Sequence, residues 1–292
     1  MKTAIIVDST AYLNEQLANH PDVFQVYLTV NFEDDTQTKD TIDREGIQQF
    51  YERLADSKQL PTTSQPSPGE YYDVLDEIVE AGYDQVVGIH LDKKISGTYQ
   101  TAVMISEQYQ DKLNISMIDS RGASVVSEHL VSIALILAEK GYTLSEITEK
   151  LRWLVKETEI YLIVEDLNNL AKGGRLSATS AILGQLVRVR PILTFAEEGG
   201  IILFEKVRTN KKAYQRLSDL VNEANERYPS GVEVQFAYTL PDEGMDEFMS
   251  MIHSSTNVQS AYKSLIGPVI GTHLGAGVKA MAIYPKLTDL YK

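Results

Sequence analysis

The feature that most constrains the fold is an alternation of short apolar runs with stretches of helical period. In the first half of the chain, apolar runs at 3–7, 85–91 and 114–119 each end in a polar turn. A helical pattern follows the second and third of these runs. After the first run comes a β-branched run at 26–32, and helical periodicity follows around 47–55. Strands and helices that alternate in this way form a parallel sheet with helices on both faces. We therefore predict an N-terminal α/β domain built around such a sheet.

The second half of the chain combines strands and helices in a different order. An amphipathic helix predicted at 143–157 leads to a strand at 161–164, and a helix is expected after Ser177. A Glu-Glu-Gly-Gly turn joins two further runs into a predicted hairpin. Helices and strands predicted beyond it lie at 211–227, 232–240, 243–253, 258–265 and 277–284. We predict two α/β domains: a mainly parallel one at 1–158 and a mixed one at 159–292, with a ligand between or beside them.

Composition and charge narrow the function classes. The chain of 292 residues contains no cysteine, which excludes disulfides, thiol nucleophiles and thiolate metal sites. Its net charge of −14 argues against nucleic acid and anionic membrane surfaces as partners. No apolar run approaches the roughly 20 residues of a membrane span, and the first run is too short for a signal peptide. We expect a cytoplasmic protein without stable membrane insertion.

Hydroxyl-bearing residues gather at two predicted helix entrances. Thr63 and Ser64 lie in a predicted loop, just before a Ser-Pro-Gly-Glu sequence that is typical of a helix N-terminus. Ser96, Gly97 and Thr98 follow a predicted buried strand and open the next helix. A helix entrance offers free backbone N–H groups and the positive end of the helix dipole, and glycine lets a ligand approach the backbone closely.

The predicted sheet places both entrances where ligands commonly bind. Ligands of parallel α/β sheets lie beyond the carboxyl ends of the strands. The entrance at 96–98 and the polar turns that begin at Asp8 and Asp119 all lie at that edge. The two hydroxyl-rich entrances could therefore converge on one anion, such as a carboxylate or a phosphate. Ordinary capping and turn chemistry would account for each entrance taken alone, so this alternative stays open.

Three further positions are candidates for binding. His273 lies among glycines in the sequence GTHLGAG, where contact with a ligand and simple packing both fit. The basic sequence Lys-Gly-Gly-Arg at 172–175 could cradle a phosphate, although it lacks the P-loop pattern; the alternative is a tight turn before a helix. Arg208 belongs to a basic patch at 208–212, which fits either a solvated face or a surface for an acidic or phosphate-bearing partner.

Common catalytic motifs are missing from the sequence. There is no G-x-S-x-G elbow, no H-E-x-x-H and no dinucleotide-binding G-x-G-x-x-G after a strand. A serine hydrolase would need a base that only folding could bring next to Ser96. The sequence thus gives no positive indication of an enzyme.

Six motifs, in this order and spacing along almost the whole chain, resemble the DegV family. They are DST at 8–10, TSQP at 63–66, SGTYQ at 96–100, KGGRLS at 172–177, EKVRT at 205–209 and GPVIGTH at 267–273. Each motif is unspecific alone, and the resemblance rests on the ordered set. The chain departs from the family pattern at Arg190, where lysine is usual before the proline, and at Ala276, where proline is common.

The resemblance implies a protein that binds a long-chain fatty acid, such as a C16 or C18 acid, without a catalytic residue, cofactor or metal of its own. It implies that Thr63 and Ser96 hold the carboxylate, with His273 close to the same head group. Some members of the family present the acid to a separate fatty acid kinase subunit, which makes acyl phosphate for phospholipid synthesis. Arg208 would then be a docking residue for that subunit.

Two alternatives to this interpretation remain at the level of sequence. One is an enzyme, either a hydrolase that uses Ser96 or a phosphoryl-transfer protein that uses residues 172–175. The other is a binding protein for a different anionic amphiphile or a small phosphorylated ligand.

Overall fold

The computed structural model describes residues 2–177, 189–258, 260 and 262–290. By contacts the chain forms two compact units. The first unit comprises the chain up to Ile42 together with Pro61–Lys156, and the second comprises Asp43–Leu60 together with the chain from Glu157 onward. A division of the sequence at 158/159 assigns Asp43–Leu60 to the N-terminal domain, whereas its contacts lie in the second unit.

The described strands and helices are labelled in chain order. The strands are β1 (Thr3–Asp8), β2 (Val23–Val26), β3 (Thr29–Asn31), β4 (Gln37–Lys39), β5 (Thr62–Ser64), β6 (Gln85–His90), β7 (Asn114–Asp119), β8 (Glu159–Ile163), β9 (Arg190–Phe195), β10 (Ile201–Val207), β11 (Val232–Tyr238), β12 (Lys263–Leu265) and β13 (Lys279–Pro285). The helices are α1 (Glu15–Ala18), α2 (Arg44–Asp56), α3 (Pro68–Glu80), α4 (Thr98–Ser106), α5 (Val125–Glu139), α6 (Leu144–Glu157), α7 (Asn168–Lys172), α8 (Asn210–Arg227), α9 (Met245–Ser255), α10 (Pro268–Leu274) and α11 (Leu287–Leu290).

The first unit is built on the predicted parallel sheet, with strand order β2-β1-β6-β7. The two central strands, β1 and β6, are buried along their whole length. Ala4 and Ile6 pack in one cluster with residues of α3 and α4, while Ile5 and Val7 on the opposite face are equally buried. Burial on both faces is what continuous apolar runs in a parallel sheet require.

The start of α3 confirms the capping sequence. Ser67 is the N-cap residue, and its Oγ accepts a hydrogen bond from the Glu70 backbone N–H at 3.2 Å. Pro68 occupies the first helical position, where its missing N–H leaves no partner unsatisfied.

A second, smaller sheet in this unit, with order β4-β3-β5, departs from the prediction. The β-branched run at 26–32 is divided between two sheets, because β2 ends at Val26 and β3 joins the smaller sheet. Thr63 and Ser64 lie in strand β5 and not in a loop, because β5 pairs antiparallel with β3. Short pairings of this kind depend on a distant partner strand and leave little local signal in the sequence.

The second unit has a mixed sheet with order β10-β9-β8-β13-β11-β12, in which only the β11–β12 pair is parallel. Helices α8 and α9 cover one face of this sheet. The core between the sheet and the helices includes the ring contacts of Phe248 with Tyr214 and Phe236. The predicted hairpin is confirmed as β9 and β10. The helix predicted after Ser177 lies outside the described residues.

The glycine-rich segment before the last strand is partly helical, which the sequence reading did not predict. Helix α10 begins after Gly267 with Pro268 at its first position and ends before Gly275, whose φ is +77°. Proline at the first helical position is an ordinary helix start, and the positive φ of Gly275 is one that glycine adopts readily. Because the helix has only seven residues, its apolar periodicity is too short to recognise.

None of the helices in the described part of the chain is long and apolar enough to cross a membrane.

Candidate functional site

The carboxyl edge of the parallel sheet is organised by Asp8, the last residue of β1. Its carboxylate accepts hydrogen bonds from the Thr10 backbone N–H at 3.1 Å, the Thr10 hydroxyl at 2.5 Å and the Leu91 backbone N–H at 2.8 Å. Burial raises the pKa of Asp8 to about 6, although these hydrogen bonds act in the opposite direction. Asp8 therefore ties the turn after β1 to the turn after β6, which leads to Ser96.

The entrance of α4 is a small hydroxyl cluster. The hydroxyls of Ser96 and Thr98 are 2.8 Å apart, and the Thr98 backbone N–H donates to Ser96 Oγ at 3.3 Å. Thr98 is fully buried and Ser96 is half-buried. The helix begins at Thr98 rather than at Ser96, and its N-cap residue, Gly97, provides no side-chain cap. Thr98 thus orients the Ser96 hydroxyl.

Gln65 joins the other hydroxyl-rich segment to this entrance. Its Nε2 donates to Thr101 Oγ1 at 2.5 Å, one turn into α4. Its Oε1 occupies the space that a Cβ atom at Gly97 would need. Glycine at 97 therefore admits the Gln65 amide, and the chain that carries Thr63 and Ser64 is held next to residues 96–98.

Thr63 and Ser64 are placed by the smaller sheet of the first unit. Thr63 is half-buried and pairs with Val30 of β3. Ser64 is exposed, and its Oγ accepts a hydrogen bond from Asn31 Nδ2 at 2.9 Å. The first unit thus brings five of the predicted positions, residues 63–64 and 96–98, to one region of its sheet edge.

His273 lies in the second unit, in the last turn of α10. Its side chain is buried, with a relative exposure of 9%. A Cβ atom added at Gly173 would lie 2.5 Å from His273 Nδ1, so only glycine lets the ring pack this closely. Burial, together with the positive charge of Arg175, lowers the pKa of His273 to about 4. The ring is therefore neutral near pH 7 and offers one hydrogen-bond donor and one acceptor.

The Lys-Gly-Gly-Arg sequence is the end of helix α7 and not a phosphate cradle. The backbone N–H groups that could hold a phosphate donate instead to carbonyls of the helix that ends there. These pairs are Gly173 to Asn169, Gly174 to Ala171 and Arg175 to Leu170, at 2.8–3.1 Å. Arg175 Nη1 also donates to the Gly173 carbonyl at 2.5 Å. The turn alternative therefore describes this segment better than phosphate binding does.

Arg208 lies in the connection between β10 and α8, also in the second unit. Arg208, Lys211 and Lys212 are all exposed, and none of them forms an ion pair within the described residues. Thr209 caps α8 by accepting from the Lys212 backbone N–H at 3.2 Å. Cations at a helix N-terminus oppose the helix dipole, so these charges do not serve the stability of α8.

Carboxylate and imidazole side chains of the described residues do not gather into a metal site; no group of three or more is placed to hold an ion. The buried carboxylate of Asp8, at the sheet edge, already accepts hydrogen bonds from three donors.

Sequence reasoning missed the contacts that shape the two regions. Nothing in the sequence relates Gln65 to Thr101, which lies 36 positions away. The proximity of Arg175 to His273 was equally hidden, because it depends on the packing of α7 on α10. Only Thr101 left a signal, since it lies one turn after Thr98 and so faces the same side of α4.

Comparison with known proteins agrees with this architecture. A family profile with the description "Uncharacterised protein, DegV family" matches residues 2–286. A DegV domain-containing protein of Streptococcus pyogenes serotype M3 is 35% identical over 289 residues, covering 98% of this chain and 100% of that protein.

Two solved structures share the fold over nearly the whole chain. The fatty acid binding DegV family protein of Streptococcus agalactiae has 34% identity and a TM-score of 0.88, with 98% of this chain and 99% of that one covered. A stearic acid-binding protein of Eubacterium ventriosum has 27% identity and a TM-score of 0.86, with coverage of 99% and 100%. The chain therefore belongs to the DegV family.

Proposed function

We propose that this protein binds a long-chain fatty acid, a C16 or C18 acid, and does not itself catalyse a reaction. Family membership supports this, because the structural neighbours from Streptococcus agalactiae and Eubacterium ventriosum are fatty acid-binding proteins. The acyl chain would be buried in an apolar channel, and the carboxylate would be held by hydrogen-bond donors.

The observation that carries the proposal is the Gln65 contact with the entrance of α4. It holds the segment of Thr63 next to Ser96, so that two hydroxyls from separate elements can serve one carboxylate. The N–H of Thr98 already donates to Ser96 Oγ, but Gly97 provides no side-chain cap, so the next N–H groups of the first turn can add further donors. In this arrangement Ser64 and Gly97 border the site, and Thr98 positions Ser96.

The energetics explain why the head group needs such donors. Burial of about 15 methylenes of a C16 chain is worth roughly 12 kcal/mol before costs. Association costs on the order of 4–15 kcal/mol, and a buried carboxylate without hydrogen bonds costs several more. The tail can therefore supply affinity only if the head group is satisfied. Hydroxyls and helix N–H groups do this without net positive charge, which suits a chain with a net charge of −14.

We also propose His273 as a contact of the head group. Its neutral imidazole can donate one hydrogen bond to a carboxylate without a change of protonation near pH 7. Arg175 supports this role, because its charge disfavours the imidazolium form.

Substitution of the two hydroxyls tests the head-group assignment. The affinity of delipidated protein for hexadecanoic acid is measured for wild type and for the Thr63→Ala, Ser96→Ala double variant. We expect a loss of at least about 5- to 150-fold, the equivalent of one unpaired buried group at 1–3 kcal/mol. Thr143→Ala, which removes the hydroxyl at the start of α6, is the control and should leave affinity unchanged. An unchanged affinity of the double variant would refute the assignment.

Ser96 is less suited to a hydrolytic role. Its hydroxyl is bonded to the hydroxyl of Thr98, which cannot act as the general base that a serine nucleophile requires.

We further propose that Arg208 docks the loaded protein to a separate fatty acid kinase subunit. The exposed cations at 208–212 support it, because they have no ion-pair role in the described chain and act against the dipole of α8. Arg208→Glu should abolish acyl phosphate formation by the kinase while the affinity for hexadecanoic acid stays the same. Normal acyl phosphate formation with Arg208→Glu would remove the docking role.

A further inference from the structure

Two buried aromatic side chains in the first unit form a polar pair that the proposed fatty acid site does not use. His90 is the last residue of the central strand β6, and Tyr71 lies in the first turn of α3. Both have a relative exposure of 0%. Their ring centroids are 5.8 Å apart, with an angle of 42° between the ring planes.

The pair holds three polar atoms that find no hydrogen-bond partner among the described residues. These are Tyr71 Oη, His90 Nδ1 and His90 Nε2. An unsatisfied buried polar group destabilises the fold, and native proteins rarely leave one unpaired. The neighbouring Asp8 shows the ordinary situation, since three donors satisfy its carboxylate. Three orphan atoms on two facing side chains therefore indicate a bound group.

The charge state of the pair restricts what this group can be. Burial lowers the pKa of His90 to about 3, so its imidazole is neutral at ordinary pH. Burial and the negative charges of Asp8 and Glu70 raise the pKa of Tyr71 well above its usual value, so the phenol also stays neutral. A neutral imidazole has one donor and one acceptor, and a phenol can act as either. The nearby Asp8 carboxylate disfavours a second anion.

We propose that Tyr71 and His90 bind one uncharged hydroxyl group, which belongs either to a buried water molecule or to a hydroxylated ligand. A hydroxyl group both donates and accepts, so it complements the phenol and the neutral imidazole together. A carboxylate could only accept and would add charge beside Asp8, and an ammonium group could only donate. The site lies under the same sheet edge as the α4 entrance, but its two residues are distinct from Thr63 and Ser96.

The sign of the stability change in Tyr71→Phe tests the proposal. If the phenol is hydrogen-bonded to a bound hydroxyl, its removal should lower the folding equilibrium constant by about 2- to 12-fold. If the phenol hydroxyl has no hydrogen-bond partner, its removal takes away the cost of burying it, and the folding equilibrium constant should rise. Tyr51→Phe is the matched control, because Tyr51 Oη donates to the Ile266 carbonyl at 2.9 Å and its loss must destabilise.

Measurements on two forms of the protein separate the sources of the hydroxyl. If the hydroxyl belongs to a water molecule, Tyr71→Phe should lose the same stability in the delipidated and the ligand-loaded protein. Magnetisation transfer from water to the His90 ring should then be seen in both forms. If the hydroxyl belongs to a ligand, Tyr71→Phe should lose stability in the loaded form only. The co-purified acid should then be heavier by one oxygen atom than the unhydroxylated fatty acid. Equal or higher stability of Tyr71→Phe in both forms overturns the proposal.

A second measurement on the unmodified protein guards against a variant that fails to fold. One of the two ring nitrogens of ¹⁵N-labelled His90 should have the chemical shift of a hydrogen-bonded nitrogen in a neutral imidazole. If the chemical shifts show that neither ring nitrogen of His90 is hydrogen-bonded, the proposal is overturned independently of the variant.

Discussion

The two units carry candidate contacts of different chemistry. In the first unit the contacts are hydroxyls and helix N–H groups around Ser96, held together by side chains such as Gln65. In the second unit the contact is a single buried imidazole, His273, packed against Gly173 beside Arg175. The first region is adjustable, because its links are ends of flexible side chains. The second is rigid, because its links are backbone atoms and a ring.

This difference separates two ways to hold an anion. Hydroxyl donors keep the same charge at all physiological pH values, so their own hydrogen bonds to a carboxylate should not depend on pH. An imidazole can change its charge, and the second region limits this through burial and a neighbouring cation. Three kinds of change test this difference: alanine in place of a glycine in each region, a change of pH, and removal of the Gln65 side chain that connects two segments of the first region.

Gly173→Ala should have the largest effect. The φ of Gly173 is −73°, which alanine tolerates, but the new Cβ would meet the His273 ring and lie 2.9 Å from the Asn169 carbonyl oxygen. Overpacking against a backbone atom should lower the free energy of unfolding by about 2–3 kcal/mol, as measured by denaturant titration.

Gly174→Ala is the matched control for this prediction. Its φ is +71°, and its Cβ would meet no atom within 4 Å, so it should cost only about 1–2 kcal/mol for the left-handed conformation. A Gly173→Ala protein as stable as wild type would show that the second region is not rigid.

Titration should also distinguish the regions, since His273 and Asp8 act with opposite signs. Between pH 6.5 and about 4 the unfolded chain binds a proton on His273 that the folded protein excludes, so stability falls on acidification by up to about 1.4 kcal/mol per pH unit. Between pH 6 and 3.8 folded Asp8 binds a proton that the unfolded chain releases, so its contribution rises on acidification. Buried His90 and His129 act in the same direction as His273.

His273→Gln should therefore flatten the pH dependence of the free energy of unfolding between pH 6.5 and 4. The wild-type protein, measured at the same pH values, is the reference. If the variant and the wild type have parallel profiles, the imidazole titrates with an ordinary pKa and the contrast between the regions is lost.

Loss of the Gln65 link should have a smaller effect. Gln65→Ala leaves the buried Thr101 hydroxyl without its donor, which should lower the free energy of unfolding by about 1 kcal/mol. It should also weaken hexadecanoic acid binding, because the segment of Thr63 is no longer held beside Ser96. Gln100→Ala, on the exposed side of α4, is the control. Binding unaffected by Gln65→Ala would remove the observation that carries the proposed function.

The sequence predicted those features that depend on neighbouring residues. The buried strands of the first unit, the Ser67 cap and the hairpin from β9 to β10 were confirmed because apolar runs, capping residues and turn glycines act locally. Helix α10 was not predicted, because seven residues are too few for an apolar periodicity to be recognised. Strand β5 and the placement of Asp43–Leu60 in the second unit were not predicted, because each depends on distant partners. For the same reason, the residues around Ser96 could be nominated while their links through Gln65 could not.

Gly97→Ala should have the smallest effect on the free energy of unfolding. Its coupling to Gln65→Ala should be the most informative. The backbone of Gly97, with φ −78°, suits alanine, and the obstacle to its Cβ is the amide oxygen of Gln65, the end of a flexible side chain. Displacement of that amide should cost below about 1 kcal/mol, and the cost should disappear in a Gln65→Ala background, which a double-mutant cycle measures. No such rescue is available at Gly173, where a backbone oxygen is one of the obstacles. Additive effects of Gly97→Ala and Gln65→Ala would mean that the two segments of the first unit are not linked through this contact.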